Sequence, residues 1–475
     1  MTITHHISKI SPKLVLIVNT IFLALSSSCS RVDHKQSALD PKGLVSQNQY
    51  DIFMLSVWIT IFLFCAVGGC LLYVLWKYRA KSKEEAMEVP EQMHGNSKVE
   101  TTLILVSAVI LVILAVPTLQ GVVLMNRVPD PNDTATLEKL KLDKSQIEDA
   151  ITVNVTGKRF FWVFEYPQYG IVTANELVFP ASKAVRVNLR TEDVIHSFWL
   201  PKLAGKMDLM PGQENFLWFI ADEDKIRSGI DPDGNPYNVD AKVAMPSVFN
   251  GEMRETIFTK QAFTDEFEAV GGLFYGQCAE YCGNSHAYMS FRALAQTDED
   301  FDKWVLKFRN AQNPNLQPSA YMSESKYSKG DIVTFSDSTI GENVNREYRA
   351  VKVANEGQTP STQPKSWEKV HSDDYEKGKI LFGTQGCAQC HAINKTGLGA
   401  KGPNLTLFGL RTSLAAGWMR NDEKSLDKWL RNSNEVKFGN LMWNGEGVDD
   451  RHPLRQLEDD DEKVSQLVTY LLGLK

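Results

Sequence analysis

Two stretches of this sequence, residues 52–76 and 101–126, contain no charged side chain. At about 1.5 Å of rise per helical residue, each is longer than the ~30 Å hydrocarbon core of a bilayer. A chain with two such runs is expected to cross a membrane twice. Between them lie Lys77, Arg79, Lys81, Lys83 and Lys98, and a short loop rich in Lys and Arg faces the cytoplasm. Everything after Arg127 is then expected outside the cytoplasm. A third, shorter apolar run from Leu14 to Leu25 follows Lys9 and Lys13 and ends in small residues and Cys29. That is the pattern of an export signal over residues 1–29. Cys29 is the expected lipidation site, although Leu25 stands four places before it rather than three.

With 475 residues, the chain has room for two soluble domains besides a membrane hairpin over 45–130. A net charge of −7 gives no electrostatic case for nucleic acid. From Ile151 to about Leu294 the segments ITVNVTG, FFWVFEYP, ELVFPA, AVRVNLR, FLWFIA and ETIFT read as short strands. They suggest a β-sandwich or barrel over residues 145–311, interrupted by an insertion at 222–268 with a turn-forming DPDGNP, and closed by a helix at 298–311. Residues 312–367 hold a possible hairpin (DIVTFSD, then REYRAVKV) and end in GQTPSTQPKS, which reads as a spacer followed by a flexible linker. The last segment, 368–475, changes to helical patterns at YEKGKILFGTQG, SLDKWLRNS and DEKVSQLVTYLLGLK.

Of seven cysteines, Cys65 and Cys70 lie in the first apolar run, and four fall into two close pairs in the exported part. The first pair sits in Cys278-Ala-Glu-Tyr-Cys282-Gly-Asn-Ser-His286-Ala-Tyr-Met289. Two thiolates, an imidazole and a thioether form a soft ligand set, which selects copper over magnesium, calcium or manganese. Zinc has no use for the methionine, and a plain disulfide is the blander alternative in an oxidising compartment. A second histidine stands far upstream, in Glu192-Asp-Val-Ile-His196-Ser-Phe-Trp-Leu-Pro, and a lone histidine by itself carries little weight.

The second pair, Cys387-Ala-Gln-Cys390-His391, is a c-type haem attachment motif, in which two thiols add to the haem vinyl groups and the adjacent His becomes an iron ligand. No second C-x-x-C follows to complete a zinc site. Only Met419 and Met442 follow as methionine candidates for the sixth ligand; the stretch Trp429–Met442 resembles the helix and methionine loop of class I cytochromes c, which implies Met442, and His452, beside Asp449, Asp450 and Arg451, is the competitor.

Taken together, HSFWLP around His196, the later Lys206-Met-Asp208 segment and the C-x3-C-x3-H-x2-M run resemble the dinuclear copper A domain of the cytochrome c oxidase subunit II family. Residues 368–475 resemble a class I cytochrome c fused to its end. The resemblance implies a cupredoxin-like sandwich in which Cys278 and Cys282 bridge two coppers, His196 and His286 cap one each, Met289 binds weakly and the Glu280 carbonyl completes the set. The Glu280 side chain is then expected at a magnesium site shared with subunit I. His94-Gly-Asn and Glu100 match the family's membrane hairpin, where such a Glu stands at the mouth of a proton path. One departure is Phe160, at the position where the family carries the tryptophan that receives electrons from soluble cytochrome c; a tethered donor offers a different route.

The resemblance implies the electron-accepting subunit of a proton-pumping oxidase in a bacterial inner membrane, with both metal domains on the periplasmic side. Electrons would pass from cytochrome c or an upstream respiratory complex through haem c and copper A to haem a of subunit I, the obligatory partner among the other oxidase subunits. A quinol oxidase subunit would lack the copper ligands, and nine histidines are too few for nitrous oxide reductase. A nitric oxide reductase partner is the nearest rival.

Overall fold

The structure is a computed structural model describing residues 36–475 except 88, 90–94, 223–271, 314–317, 342, 354–356, 395–400 and 446–451. The signal reading with Cys29, together with His94, the ETIFT strand and all but the first residue of the insertion, lies outside the described residues.

Helices α1 (Leu44–Lys77) and α2 (Ser97–Met125) contain the two uncharged runs and pack against each other as a hairpin. Along both, large apolar side chains such as Phe64 and Val123 are exposed, a surface suited to lipid. The start of α2 is fixed by a reciprocal cap. Asn96 Oδ1 accepts from the amides of Lys98 and Val99, and Glu100 Oε1 accepts from the Asn96 amide. Glu100 thus sits at the helix end, as expected. At the other end the hairpin is tied to the soluble part. Trp218 Nε1 donates to the Met125 carbonyl at 3.0 Å, and Ser46 Oγ donates to the Lys202 carbonyl at 2.7 Å.

Among the described residues between Ile151 and Gln296, ten strands form two five-stranded sheets. One runs β3 (Ile171–Ala174), β2 (Phe161–Tyr166), β1 (Ile151–Lys158), β5 (Val185–Thr191), β8 (Asn215–Phe219). The other runs β4 (Glu176–Pro180), β10 (Ser290–Gln296), β9 (Leu273–Cys278), β6 (His196–Trp199), β7 (Lys206–Leu209). Strand β1 pairs parallel with β5, and β4 parallel with β10, so this is a mixed cupredoxin-like sandwich and not a simple meander. Alternation of buried Ile151, Val153 and Val155 with less buried Thr152 and Asn154 aims one face of β1 into the core. There Phe198 stacks on Phe291 at 4.6 Å, and Trp162 meets both edge-on.

Five of the expected strands correspond to β1, β2, β4, β5 and β8. Strands β3, β6, β7, β9 and β10 carry little sequence signal, and His196 opens β6, shortly after β5 ends at Thr191. Helix α3 (Asp298–Gln312), capped by Thr297, lays Phe301, Trp304, Val305 and Phe308 on the end of the sandwich.

The expected hairpin is present as β12 (Ile332–Asp337) and β13 (Val344–Ala350), in a four-stranded sheet with β11 (Ser319–Ala320) and β14 (Trp367–Lys369). The flexible linker expected at 357–366 is a correction: that segment folds onto this sheet. The Gly357 amide donates to the Ser323 carbonyl, Trp367 Nε1 donates to the Gln358 carbonyl at 2.7 Å, and Ser366 is buried. Its polar composition hid a packed turn because Trp367, just after it, supplies the apolar anchor.

The C-terminal domain is helical, with α4 (Asp373–Thr384), the single turn α5 (Cys387–Cys390), α6 (Glu423–Arg431) and α7 (Asp461–Gly473). They enclose a core of Phe382, Leu430, Trp443, Leu467 and Leu471. Leu407 and Leu410 of this domain belong to the sandwich's own core cluster, so the two soluble domains share an apolar contact.

Candidate metal centre and haem attachment site

Strand β9 ends at Cys278 and the chain turns through Cys282 and His286 to Met289 before β10 returns; the Cys278 amide bonds to the Met289 carbonyl and closes the loop. Neighbouring β6 brings His196 alongside, with Phe198 paired to Cys278 in register. The fold therefore joins the local loop to the distant histidine.

Cys278 Sγ and Cys282 Sγ are 3.9 Å apart and both free. His196 Nδ1 is 3.8 Å from Cys278 Sγ, and His286 Nδ1 is 3.7 Å from Cys282 Sγ. Met289 Sδ is 3.8 Å from Cys282 Sγ, and the Glu280 carbonyl is 3.2 Å from Cys278 Sγ. A metal bound at about 2.3 Å from sulfur and about 2.0 Å from imidazole nitrogen spans roughly 4.6 Å between two sulfurs and 4.3 Å between sulfur and nitrogen. Each observed separation is within those limits, so one ion can touch both thiolates, and each histidine can serve a different ion. The donor set fits a thiolate-bridged pair of soft metals. The ligand atoms of His196, Cys278 and Cys282 all lie within 4.8 Å of one another, and the three residues are buried.

A partner absent from the sequence reading is Asp193. Its Oδ1 lies 2.8 Å from His196 Nε2, so Nε2–H donates outward and Nδ1 is left facing the sulfurs. Burial alone would raise the Asp193 carboxyl, but hydrogen bonds from His196 and from the amides of Arg159 and Val194 hold it well below the usual carboxylate range. The sequence signal was its place three residues before His196. The hydrogen bond with Cys282 holds the Cys278 thiol below the ordinary thiol range. A thiolate is thus available there as a metal ligand.

In the C-terminal domain, Cys387, Cys390 and His391 follow one another around a single helical turn. His391 Nδ1 is 2.9 Å from the Pro403 carbonyl; Nδ1–H donates to it, which leaves Nε2 free for an iron. Burial lowers the His391 pKa and keeps the imidazole neutral, the ligating form. Cys387 and half-buried Met442 pack against the same apolar cluster. His452 is used otherwise, its Nδ1 accepting from the Leu454 amide at 3.2 Å as a helix cap. These residues fit a covalently held haem.

Residues 36–120 match the transmembrane domain of cytochrome c oxidase subunit II, 170–230 its periplasmic domain, and 375–475 cytochrome c. The hairpin and sandwich are thus similar to cytochrome c oxidase subunit II, and the C-terminal domain to cytochrome c. The periplasmic match covers His196 and stops before Cys278, whereas the cytochrome match covers Cys387, Cys390, His391 and Met442. Cytochrome c oxidase subunit 2 of Alkalihalophilus pseudofirmus is 27% identical over 96% of this chain and 95% of its own length. The same subunit of a Bacillus species is 29% identical over 92% of this chain and 91% of its own. The periplasmic domain of subunit II of cytochrome oxidase from Bradyrhizobium japonicum is 26% identical, covering 33% of this chain and 91% of that domain, with a TM-score of 0.22. Subunit II is part of an oxidoreductase complex in a membrane, and its two domain types imply copper A and haem c in general.

Proposed function

We propose that the chain is the electron-accepting subunit of a proton-pumping cytochrome c oxidase. His196, Cys278, Cys282, His286 and Met289, with the Glu280 carbonyl, would hold dinuclear copper A. Cys387 and Cys390 would tether haem c, with His391 and Met442 as its axial ligands. When bound, these groups supply one-electron redox chemistry. The protein's part is to fix donors in place: Asp193 orients His196, Pro403 orients His391, and the aromatic core of Trp162, Phe198 and Phe291 keeps water from the sulfur loop.

Electrons would arrive from cytochrome c or an upstream respiratory complex at the C-terminal domain and leave toward haem a of subunit I, where oxygen is reduced to water. Glu280 would also reach a magnesium shared with subunit I, and Glu100 would stand at a proton path. Both soluble domains would lie on the periplasmic side of the inner membrane, with Cys29 lipidated. The observation that carries this reading is the convergence of three donor side chains, His196, His286 and Met289, on two sulfurs 3.9 Å apart. The test is a metal count with optical and electron paramagnetic resonance spectra of the purified chain. Two coppers, one covalent haem and a mixed-valence copper signal support it; a Cys278–Cys282 crosslink without copper overturns it.

A further inference from the structure

Three consecutive residues of the cytochrome domain, just before Met442, press on the loop that carries the copper ligands. Lys437 Nζ donates to the Phe160 carbonyl at 2.6 Å, and both residues are buried. Ser285 Oγ, fully buried, donates to the Phe438 carbonyl. Gly439, at φ +75°, passes so near Asn284 that a β-carbon there would lie 2.5 Å from Asn284 Cβ. Phe160 in turn lies under Gly283, its ring 3.1 Å from where a β-carbon on that glycine would stand. Residues 283–285 connect Cys282 to His286, and residues 437–439 lead within three positions to Met442.

We propose that segment 437–439 is a built-in clamp that holds the Met442 loop on the 283–286 loop, with Ser285 and Lys437 as its positioning residues. This rests on the proposed function, and it names the partner of the Phe160 face as the chain's own cytochrome domain rather than a free one. Three physical features make it a clamp and not a passing touch. Its polar contacts are buried, so solvent does not compete for them. The approach at Gly439 leaves no room for a side chain, so the backbones themselves are in register. A second contact between the domains flanks the first on the same loop, where Trp418 packs edge-on against Tyr288 with ring centroids 4.7 Å apart. Held this way, the Met442 loop and the 283–286 loop would keep the groups they hold in fixed relation, so that one electron given up by the haem could be taken up by the copper pair with no bond or proton changing place.

The experiment uses the full chain in its oxidase complex, with Lys437→Met, Ser285→Ala and Ser285→Thr, the last keeping the hydroxyl. Hydrogen exchange of the amides at 437–441 and 283–288 reports the clamp without reference to electron flow. Electron equilibration after flash reduction of the haem reports its consequence. Losing one buried hydrogen bond worth about 1.4 kcal/mol changes the ratio of clamped to unclamped chain about tenfold. Lys437→Met and Ser285→Ala are therefore expected to raise exchange in both segments about tenfold and to slow equilibration, with copper and haem spectra unchanged, and Ser285→Thr to restore both. Exchange and rates equal to the unaltered protein in both Lys437→Met and Ser285→Ala overturn the clamp. Absence of any haem-to-copper transfer in the unaltered complex overturns the proposed function instead.

Discussion

Glu176 and Thr412, 236 residues apart in the chain, meet through two hydrogen bonds to one carboxylate oxygen, from the Thr412 amide at 2.8 Å and its hydroxyl at 2.6 Å. Ser413 adds its amide at 2.8 Å and hydroxyl at 2.9 Å to the same oxygen. All three residues are buried, so this oxygen of Glu176, at the start of β4, is held by donors from the cytochrome domain. Glu176→Ala strands four buried donors, and each such donor costs about 1–3 kcal/mol, partly relieved by relaxation. The variant should lose on the order of 3–5 kcal/mol, read as a lower urea midpoint with loss of protection around 412–413. Glu176→Gln, which still accepts, should lose less. An unchanged midpoint in Glu176→Ala would show that the two domains are held elsewhere.

Asp193 fixes the tautomer of His196 without reaching the sulfurs. Asp193→Asn presents an amide that can no longer accept with full charge, and removal of such a carboxylate partner typically weakens metal affinity about 10–100-fold. Competition of the purified chain against a copper chelator measures this directly. Retention equal to that of the unaltered chain would mean the strand alone orients the ring.

Much of the centre was legible because its ligands are local. Cys278, Cys282, His286 and Met289 fall within one loop, and the chemistry of that spacing is readable without a fold. The strands beside them were not. β9 reads Leu-Phe-Tyr-Gly-Gln-Cys, and Gly276 looks like a break. In the fold the Phe291 ring fills the space a side chain would take, 2.0 Å from the missing β-carbon. The domain contacts were the least legible. Nothing near Glu176, Ser285 or Lys437 in sequence announces partners at Thr412, Phe438 or Phe160, because such pairs exist only once both domains have folded.

The small sheet between the domains should be sensitive to acid. Arg346 Nε lies 3.4 Å from Asp337 with both side chains buried, and its Nη1 lies 2.7 Å from Asp373. Burial tends to raise the Asp337 carboxyl, but hydrogen bonds from Tyr348 and Thr339, together with Arg346, hold it below its ordinary value. Asp373 is also held low, first by Lys369 and then by Arg346 against burial. A carboxyl with a depressed folded pKa contributes stability that is present above its unfolded pKa of about 3.9 and lost as pH falls through the folded value. The sheet should therefore loosen below about pH 4. Arg346→Met removes the cation, leaves Asp337 buried and unpaired at a cost of about 3–5 kcal/mol, and moves the loosening to higher pH. Fluorine resonance of fluorotryptophan at Trp367, buried in this sheet, follows it as pH is lowered. A transition at the same pH in both proteins would remove Arg346 from the account.

Met442 and His452 are the two side chains weighed for the second axial position, and the structure separates their roles. His452 Nδ1 already accepts from the Leu454 amide and caps the helical turn at Pro453–Leu457, so turning it to an iron would cost that cap about 1 kcal/mol. Met442 has no such commitment and packs against the apolar cluster that also takes Cys387. Methionine–histidine ligation holds a haem at a higher potential than two histidines. Met442→His should therefore lower the midpoint potential of the covalent haem and give a bis-histidine spectrum, and Met442→Leu should open the position to added imidazole. His452→Ala should leave both potential and spectrum unchanged, with a stability loss of about 1 kcal/mol from the missing cap. Redox titration and spectra of the three variants decide between the two side chains, because a change in potential and spectrum confined to His452→Ala would place the ligand at His452.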